Sequence, residues 1–152
     1  MRLPLLLFCL VCLCLLAGCL ENSNVPGVTR DPEESAKTAY PDLPDSSQAV
    51  ELIERGEKLF RGLTCEQCHS TGSERNGLMG PPLGGLSDRI IEQEDNDPLE
   101  ARRWTLKHIK DPAKYPSKFA GQDDYRGAHM TPFPRITDED LRALVEYLFS
   151  LR

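Results

Sequence analysis

Apolar positions along the 152-residue chain fall into three regimes. An apolar run of 14 residues, Leu3 to Leu16, follows Arg2. Residues 22–47 are polar, carry four prolines and sustain no apolar period. Beyond them, apolar residues recur at helical spacing in three stretches. Leu52, Ile53, Gly56, Leu59 and Phe60 share one face of a helix predicted over Ala49–Phe60, with Ser46 or Ser47 as its cap. A second helix is predicted over Pro98–Asp111. Asp97 suits its N-cap, Pro98 its first position, and Pro112 stops it. A third runs over Asp138–Leu151, capped by Thr137 with Asp140 as the second half of a weak capping box. Its apolar face is Leu141, Leu144, Val145, Leu148 and Phe149. No strand pattern competes. The intervening chain is loop-rich, notably at 77–86 and 130–134. So much loop leaves a thin core, which a large apolar ligand at the centre would thicken.

Length and charge narrow the picture. A chain of this size suits one domain. A net charge of -6 argues against a nucleic-acid binder, which needs a basic face. A mean hydropathy of -0.41 argues against a polytopic membrane protein. The organisation expected is a leader over 1–18, a tether over 19–47 and a folded domain over 48–152.

The leader is shorter than the roughly 20 apolar residues that span a bilayer, and it fits a signal-peptide core. Leu16-Ala17-Gly18-Cys19 resembles the bacterial lipobox. That resemblance implies cleavage after Gly18 and lipidation of Cys19. The competing reading is an uncleaved N-terminal anchor helix. Both put the remaining chain outside the cytoplasm, tied to a membrane and facing the periplasm or the cell exterior. Residues 22–47, with two basic and five acidic side chains, read as a disordered linker. A random coil of that length spans roughly 25–30 Å.

Cysteine usage then points to a site. Of 6 cysteines, Cys9, Cys12 and Cys14 leave with the leader, and Cys19 takes the lipid. Cys65 and Cys68 remain, in Cys65-Glu66-Gln67-Cys68-His69. C-x-x-C-H is the pattern of haem c attachment: two thiols add to the two vinyl groups of one porphyrin, and the adjacent histidine ligates iron. Two other readings use the same residues. One is a dithiol redox pair, which needs a strand–helix context. The other is half a zinc site completed by His108 and His129.

From about Val50 to Leu151 the chain resembles the class I monohaem cytochrome c family. Gly56 and Phe60 resemble that family's glycine and aromatic residue in the first helix, and Tyr147 its aromatic partner in the last. Gly80-Pro81-Pro82-Leu83-Gly84-Gly85-Leu86 is similar to the family's G-P-x-L-x-G segment. The resemblance implies an all-α fold of about three to five helices and loops wrapped around one covalent haem c. It implies Cys65 and Cys68 as attachment residues and His69 as the proximal iron ligand. It also implies that the Pro81 carbonyl accepts from His69. Met130, in a proline-rich loop before the last helix, stands where the family places its distal methionine. Thr131 departs from the family here, since many relatives have proline directly after that methionine. Met79 and His129 remain alternatives for the sixth position, and His108 is a weaker one, suited to packing or the surface.

The function implied is single-electron transfer between respiratory complexes by a membrane-tethered carrier, not an enzyme. Its partners would be redox proteins and, through the lipid, the membrane. The oligomeric expectation is a monomer or a subunit. The alternative is a permanent cytochrome c subunit of an oxidase, reductase or dehydrogenase complex. Trp104 reads as core packing, with a bond from its indole to a haem propionate as the alternative. Arg103, Lys107 and Lys110, extended by Lys114 and Lys118, form a basic stripe. It is either a solvated helix face or a surface that docks an acidic partner.

Overall fold

The computed structural model describes residues 29–119 and 129–152. Among them are five α-helices and no strand: α1 (Pro32–Ala39), α2 (Ser46–Gly62), α3 (Leu86–Gln93), α4 (Pro98–Lys110) and α5 (Asp138–Ser150). A single 3₁₀ turn covers Cys65–Gln67. The leader and Cys19 lie outside the described residues. No helix among the described residues is long and apolar enough to cross a membrane.

The last helix organises the rest, since α5 packs against all four others. Its apolar face is legible in the sequence: Leu141, Leu144, Val145, Leu148 and Phe149 are all buried. Thr137 caps it by accepting from the Asp140 amide at 3.1 Å, and its hydroxyl donates back to the Asp140 carboxylate at 2.9 Å. The broadest contact of α5 is with α2, which crosses it at Gly56. A Cβ built on Gly56 would lie 2.1 Å from the Ala143 carbonyl oxygen and 2.6 Å from Tyr147 Cβ. Only glycine permits that approach. One turn further on, the Phe60 and Tyr147 rings tilt together with centroids 5.4 Å apart.

The cap of α2 is Asp45 instead of Ser46 or Ser47. Its carboxylate accepts from the Ser47 and Gln48 amides, and the Gln48 side chain reaches back to the Asp45 amide. A carboxylate beside the helix N-terminus also meets the positive end of the dipole, so it outcompetes a hydroxyl. Asp97 and Pro98 start α4 as expected, with Asp97 accepting from the Leu99 and Glu100 amides.

The largest correction concerns 22–47. From residue 29 onward this stretch is folded, not a disordered linker. Asp31 caps α1, Pro32 opens it, and α1 packs on α4 and α5. Tyr40, just past its end, is fully buried. The Tyr40 hydroxyl lies 2.9 Å from Glu146 Oε1 and 3.1 Å from the Arg142 carbonyl oxygen. Arg102 completes the buried Glu146 carboxylate at 2.7 Å. Burial, then the neighbouring Glu146 charge, push the Tyr40 phenol well above its ordinary range, so it stays a donor. A short and mostly polar segment can fold here because one large aromatic anchors it and its charges find partners.

Those partners are the basic stripe. Arg103 donates to the Tyr40 carbonyl at 2.9 and 2.7 Å. Lys107 pairs with Glu33 at 3.1 Å and Lys114 with Asp31 at 3.0 Å. Lys110, only 3% exposed, donates to Ser35 Oγ at 2.5 Å and lies 3.5 Å from Asp138. Lys118 pairs with Glu94. The stripe is therefore neither a solvated face nor a free docking surface. Arg103, Lys107, Lys110 and Lys114 seat α1, and Lys118 holds the end of α3.

The second unexpected helix, α3, occupies part of the predicted loop region and its acidic continuation. Leu86 and Ile90, one turn apart, are both buried. Gly85 starts it from a left-handed conformation with φ 67°.

Candidate functional site

Between α2, α3, α4 and α5 lies a cavity of about 650 Å³, counting its open mouth. Its lining is almost wholly apolar. Phe60, Leu83, Leu86, Ile90, Leu144 and Leu148 supply much of it. Cys65, His69, Pro81 and Met130 face the same space. The thin core expected from the sequence is thus a core built around an interior void.

Local structure explains how the C-x-x-C-H run reaches this wall. After α2, Thr64 takes a left-handed conformation at φ 59° and ψ 28°. For a β-branched residue this costs on the order of 1–3 kcal/mol. It turns the chain into the 3₁₀ turn, where the Cys68 and His69 amides both donate to the Cys65 carbonyl, at 3.1 and 3.0 Å. Cys65 is thereby half-buried at the cavity and Cys68 is exposed.

Residues 80–84 then run back alongside 68–72. Gly80 donates to the Cys68 carbonyl at 2.8 Å, Leu83 to Ser70 at 2.9 Å and Gly84 to Gly72 at 2.9 Å. This pairing brings Pro81 to His69, whose Nδ1 donates to the Pro81 carbonyl at 2.9 Å. The carbonyl only accepts, so the proton sits on Nδ1 and the Nε2 lone pair is left for another partner. Burial holds the imidazole below its ordinary range, against the opposing pull of the Pro81 carbonyl. It is therefore neutral, the form that binds a metal. Gly80 makes room for the ring: a Cβ there would meet His69 Cε1 at 2.4 Å and Nδ1 at 2.6 Å.

The candidates for the opposite ligand separate by location. Met130 is partly buried and lines the cavity. Met79 is 58% exposed and does not line it. His129 is exposed. The loop after Met130 is tied to α4 by the Phe133 amide, which donates to the Ile109 carbonyl at 3.2 Å.

His108, read from sequence as packing or surface, lines the cavity. It stacks on Trp104 with centroids 5.2 Å apart and planes 8° from parallel. Trp104 also faces the cavity, so its role is not core packing alone. Thr105, Ser117 and Phe119 line the site too and were not anticipated. Thr105 lies three positions before His108 and four before Ile109, so a helix-face count on α4 could have found it. Ser117 and Phe119 sit in a segment without periodicity. Among the described residues, no group of three or more His, Cys, Asp or Glu side chains is placed to hold a metal ion by itself. A zinc site at Cys65 and Cys68 therefore finds no remaining ligands among the described residues.

The shape suits a large flat apolar group held at one edge by thiols, with one neutral imidazole aimed by a carbonyl. The family model for cytochrome c matches residues 53–152. The chain belongs to the cytochrome c family. No curated protein and no solved structure matches it significantly. The all-α architecture agrees with that fold, and membership implies covalently attached haem c. The residues fit the group, since the cavity offers apolar walls and the Gly80 cradle frees the His69 ring to face it. The chain is a haem-binding electron carrier and not an enzyme, working with redox partners in electron transfer.

Proposed function

We propose that this cytochrome c is a membrane-tethered, extracytoplasmic carrier of single electrons between respiratory complexes. Cys65 and Cys68 would hold the haem, with His69 and Met130 as axial ligands to its iron. When bound, haem supplies a one-electron iron couple. The observation that carries the reading is the convergence of Cys65, His69, Pro81 and Met130 on one apolar cavity.

Each residue has a part in it. Pro81 fixes the His69 ring and strengthens it as a donor. The apolar wall excludes water and lowers the local dielectric around the redox centre. Thioether ligation by Met130 raises the potential relative to a second histidine. The exposed Cys68 lies at the surface, where a partner can approach the cofactor edge. The tether reading rests on the leader and Cys19. With two or more acyl chains the anchor is stable, and it concentrates the domain near membrane partners.

Optical spectra of the purified protein, oxidised and reduced, test the site. The weak sulfur-to-iron band of the oxidised form should vanish in Met130→Ala and persist in Met79→Ala. Carbon monoxide should not bind the parent protein. A band insensitive to Met130→Ala, or ready carbon monoxide binding, would overturn the ligand assignment. The tether is tested by Cys19→Ala, which should release the protein from the membrane fraction. Retention would point to an anchor helix. Co-purification in mild detergent with other subunits at fixed stoichiometry would convert the mobile carrier into a permanent subunit.

A further inference from the structure

Residues 29–45 precede the family match at 53–152 and supply no residue to the wall of the cavity. They are nevertheless anchored along their length. Arg30, with its side chain 7% exposed, is ion-paired with Asp138. Ser35 and Ala36 are buried, and Lys110 donates to Ser35 Oγ at 2.5 Å. Tyr40 closes the series against Glu146 and the Arg142 carbonyl. What α1 adds is a fixed point on the chain between Cys19 and the cavity-bearing helices.

The place of that fixed point matters. Arg30 grips Asp138, the first residue of α5. The far end of α5 meets the C-x-x-C-H region. There the Gly85 amide donates to the Leu151 carbonyl at 3.0 Å, and residues 80–84 run alongside 68–72. With 13 residues, α5 separates these two ends by about 20 Å. The chain therefore enters the domain at the end remote from the exposed Cys68.

Covalent geometry limits how far the domain can stand from a lipid on Cys19. From Cys19 to Arg30 the chain has 11 residue steps. Each step gains at most about 3.3–3.6 Å, so this leash cannot exceed about 40 Å. With α1 undocked, the first fixed residue becomes Asp45, the cap of α2. The leash then has 26 steps and a ceiling of about 90 Å. Docking of α1 more than halves the reach.

We propose that α1 is a strap for the membrane leash. Docked on α4 and α5, it holds the point of entry within about 40 Å of the lipid surface and leaves the Cys68 edge at the opposite end of the domain. The carrier is thereby restricted to redox partners in the same membrane. This rests on the proposed lipidation of Cys19. A pull from the lipid side arrives at Arg30 first and at Tyr40 last, so the ion pairs at the entry shield the buried ring.

The test uses the full-length, lipidated, haem-loaded protein on phosphatidylethanolamine–phosphatidylglycerol vesicles carrying a fluorescent headgroup lipid. Haem absorbs the dye emission, so quenching reports the height of the haem above the surface. Tyr40→Ala should release α1 and cut quenching about twofold or more, since mean leash length grows with the square root of residue number and energy transfer falls steeply with distance. Tyr40→Phe should stay at the parent level. Glu33→Lys sets two ammonium groups against each other at Lys107, keeps Tyr40 in place and should lower quenching by a milder route. An insert of 15 glycine and serine residues after Glu21, matching the steps from Arg30 to Asp45, should reproduce the Tyr40→Ala loss with α1 still docked. Quenching equal to the parent's in Tyr40→Ala and Glu33→Lys, beside a lower value in the insert, overturns the strap. An insert without effect overturns it too, because leash length then does not set the height. Retention of Cys19→Ala in the membrane fraction fails the lipid reading itself, and the proposal with it, whatever the Tyr40 variants do.

Discussion

The helix α5 is gripped from two sides by opposite means. On the α2 side, the close approach is backbone to backbone: Gly56 meets Ala143, and Phe60 leans on Tyr147, with Arg55 paired to Glu139 and Asp140 at its edge. On the α1 side, one buried phenol and a ring of charges do the work. Tyr40 reaches Glu146, Arg30 pairs with Asp138, and Lys110 joins Ser35 to Asp138. The first interface joins helices that both wall the cavity, so it cannot open alone. The second holds a segment at one end of the described chain, which can leave while the rest stays folded. Its contribution to global stability is therefore bounded by its own docking free energy.

The largest effect should come from filling the crossing. Gly56→Ala puts a methyl group against the Ala143 carbonyl, and the obstacle is backbone, which cannot rotate away. Overpacking of this kind costs about 3 kcal/mol. In a domain of this size that lowers Tm by more than about 10 °C. Thermal unfolding of the haem-loaded protein measures it. A shift of only a degree or two would mean the helices slide apart freely, and the contrast between the two interfaces would collapse.

Next in size is Tyr40→Ala. A buried aromatic deletion costs about 3–5 kcal/mol where the site cannot unfold locally. Here the ceiling of local docking applies, so the expected global loss is smaller, about 2 kcal/mol. Amide exchange gives the sharper reading: protection should vanish in α1 and persist in α5. Tyr40→Phe keeps the ring, and Arg102 still pairs with Glu146, so it should cost only about 1 kcal/mol. Equal loss of protection in α1 and α5 would show that α1 is no separable unit.

The two interfaces were not equally visible in the sequence. Gly56, Phe60 and Tyr147 sit in helices long enough for a 3.6-residue period to declare itself, and the face of α5 could be read residue by residue. Tyr40 sits after an eight-residue helix whose only buried hydrophobic residues are Ala36 and Ala39. That is too few positions for a period, and prolines and charges nearby mimic a linker. The missed signal was the start: Asp31-Pro32 repeats the Asp97-Pro98 cap that announced α4. At the site, C-x-x-C-H and the Gly80–Leu86 segment named His69 and Pro81 because both lie in contiguous motifs. His108 was legible only as a weaker candidate, because its place at the cavity wall is set by the Tyr115 carbonyl, seven residues away in a segment without periodicity.

Acid should separate the interfaces without mutation. Lys107 lowers the Glu33 carboxyl below its ordinary 4.5, and Lys114 lowers Asp31 below 3.8. Depressed carboxyls contribute stability that is complete above the unfolded values and lost as pH falls through the folded ones. At the α2–α5 interface Arg55 pairs with Glu139 and Asp140 in the first turn of α5, but the crossing itself is the Gly56–Ala143 backbone contact, which holds no carboxylate. Amide chemical shifts of Ala36 and Ala39 should therefore move at a higher pH than those of Val145 as pH falls below about 4.5. Simultaneous movement would tie both interfaces to one transition.

The smallest effect expected is from the Asp31–Lys114 pair alone. Its 3.0 Å contact is short, but both side chains are about half exposed, at 53% and 51%. Water and salt screen such a pair, and two long side chains lose freedom to form it. Asp31→Asn also leaves a cap for α1, because asparagine accepts from the Glu33 amide as aspartate does. Unfolding midpoints of Asp31→Asn, Lys114→Met and the double variant should coincide with the parent within error. A coupling between them comparable to the Tyr40→Ala loss would invert the picture, making charge the anchor of α1 and Tyr40 its passenger. Coincidence would leave the opposite hierarchy, with one buried ring fixing α1 and the charges setting its register and its sensitivity to acid.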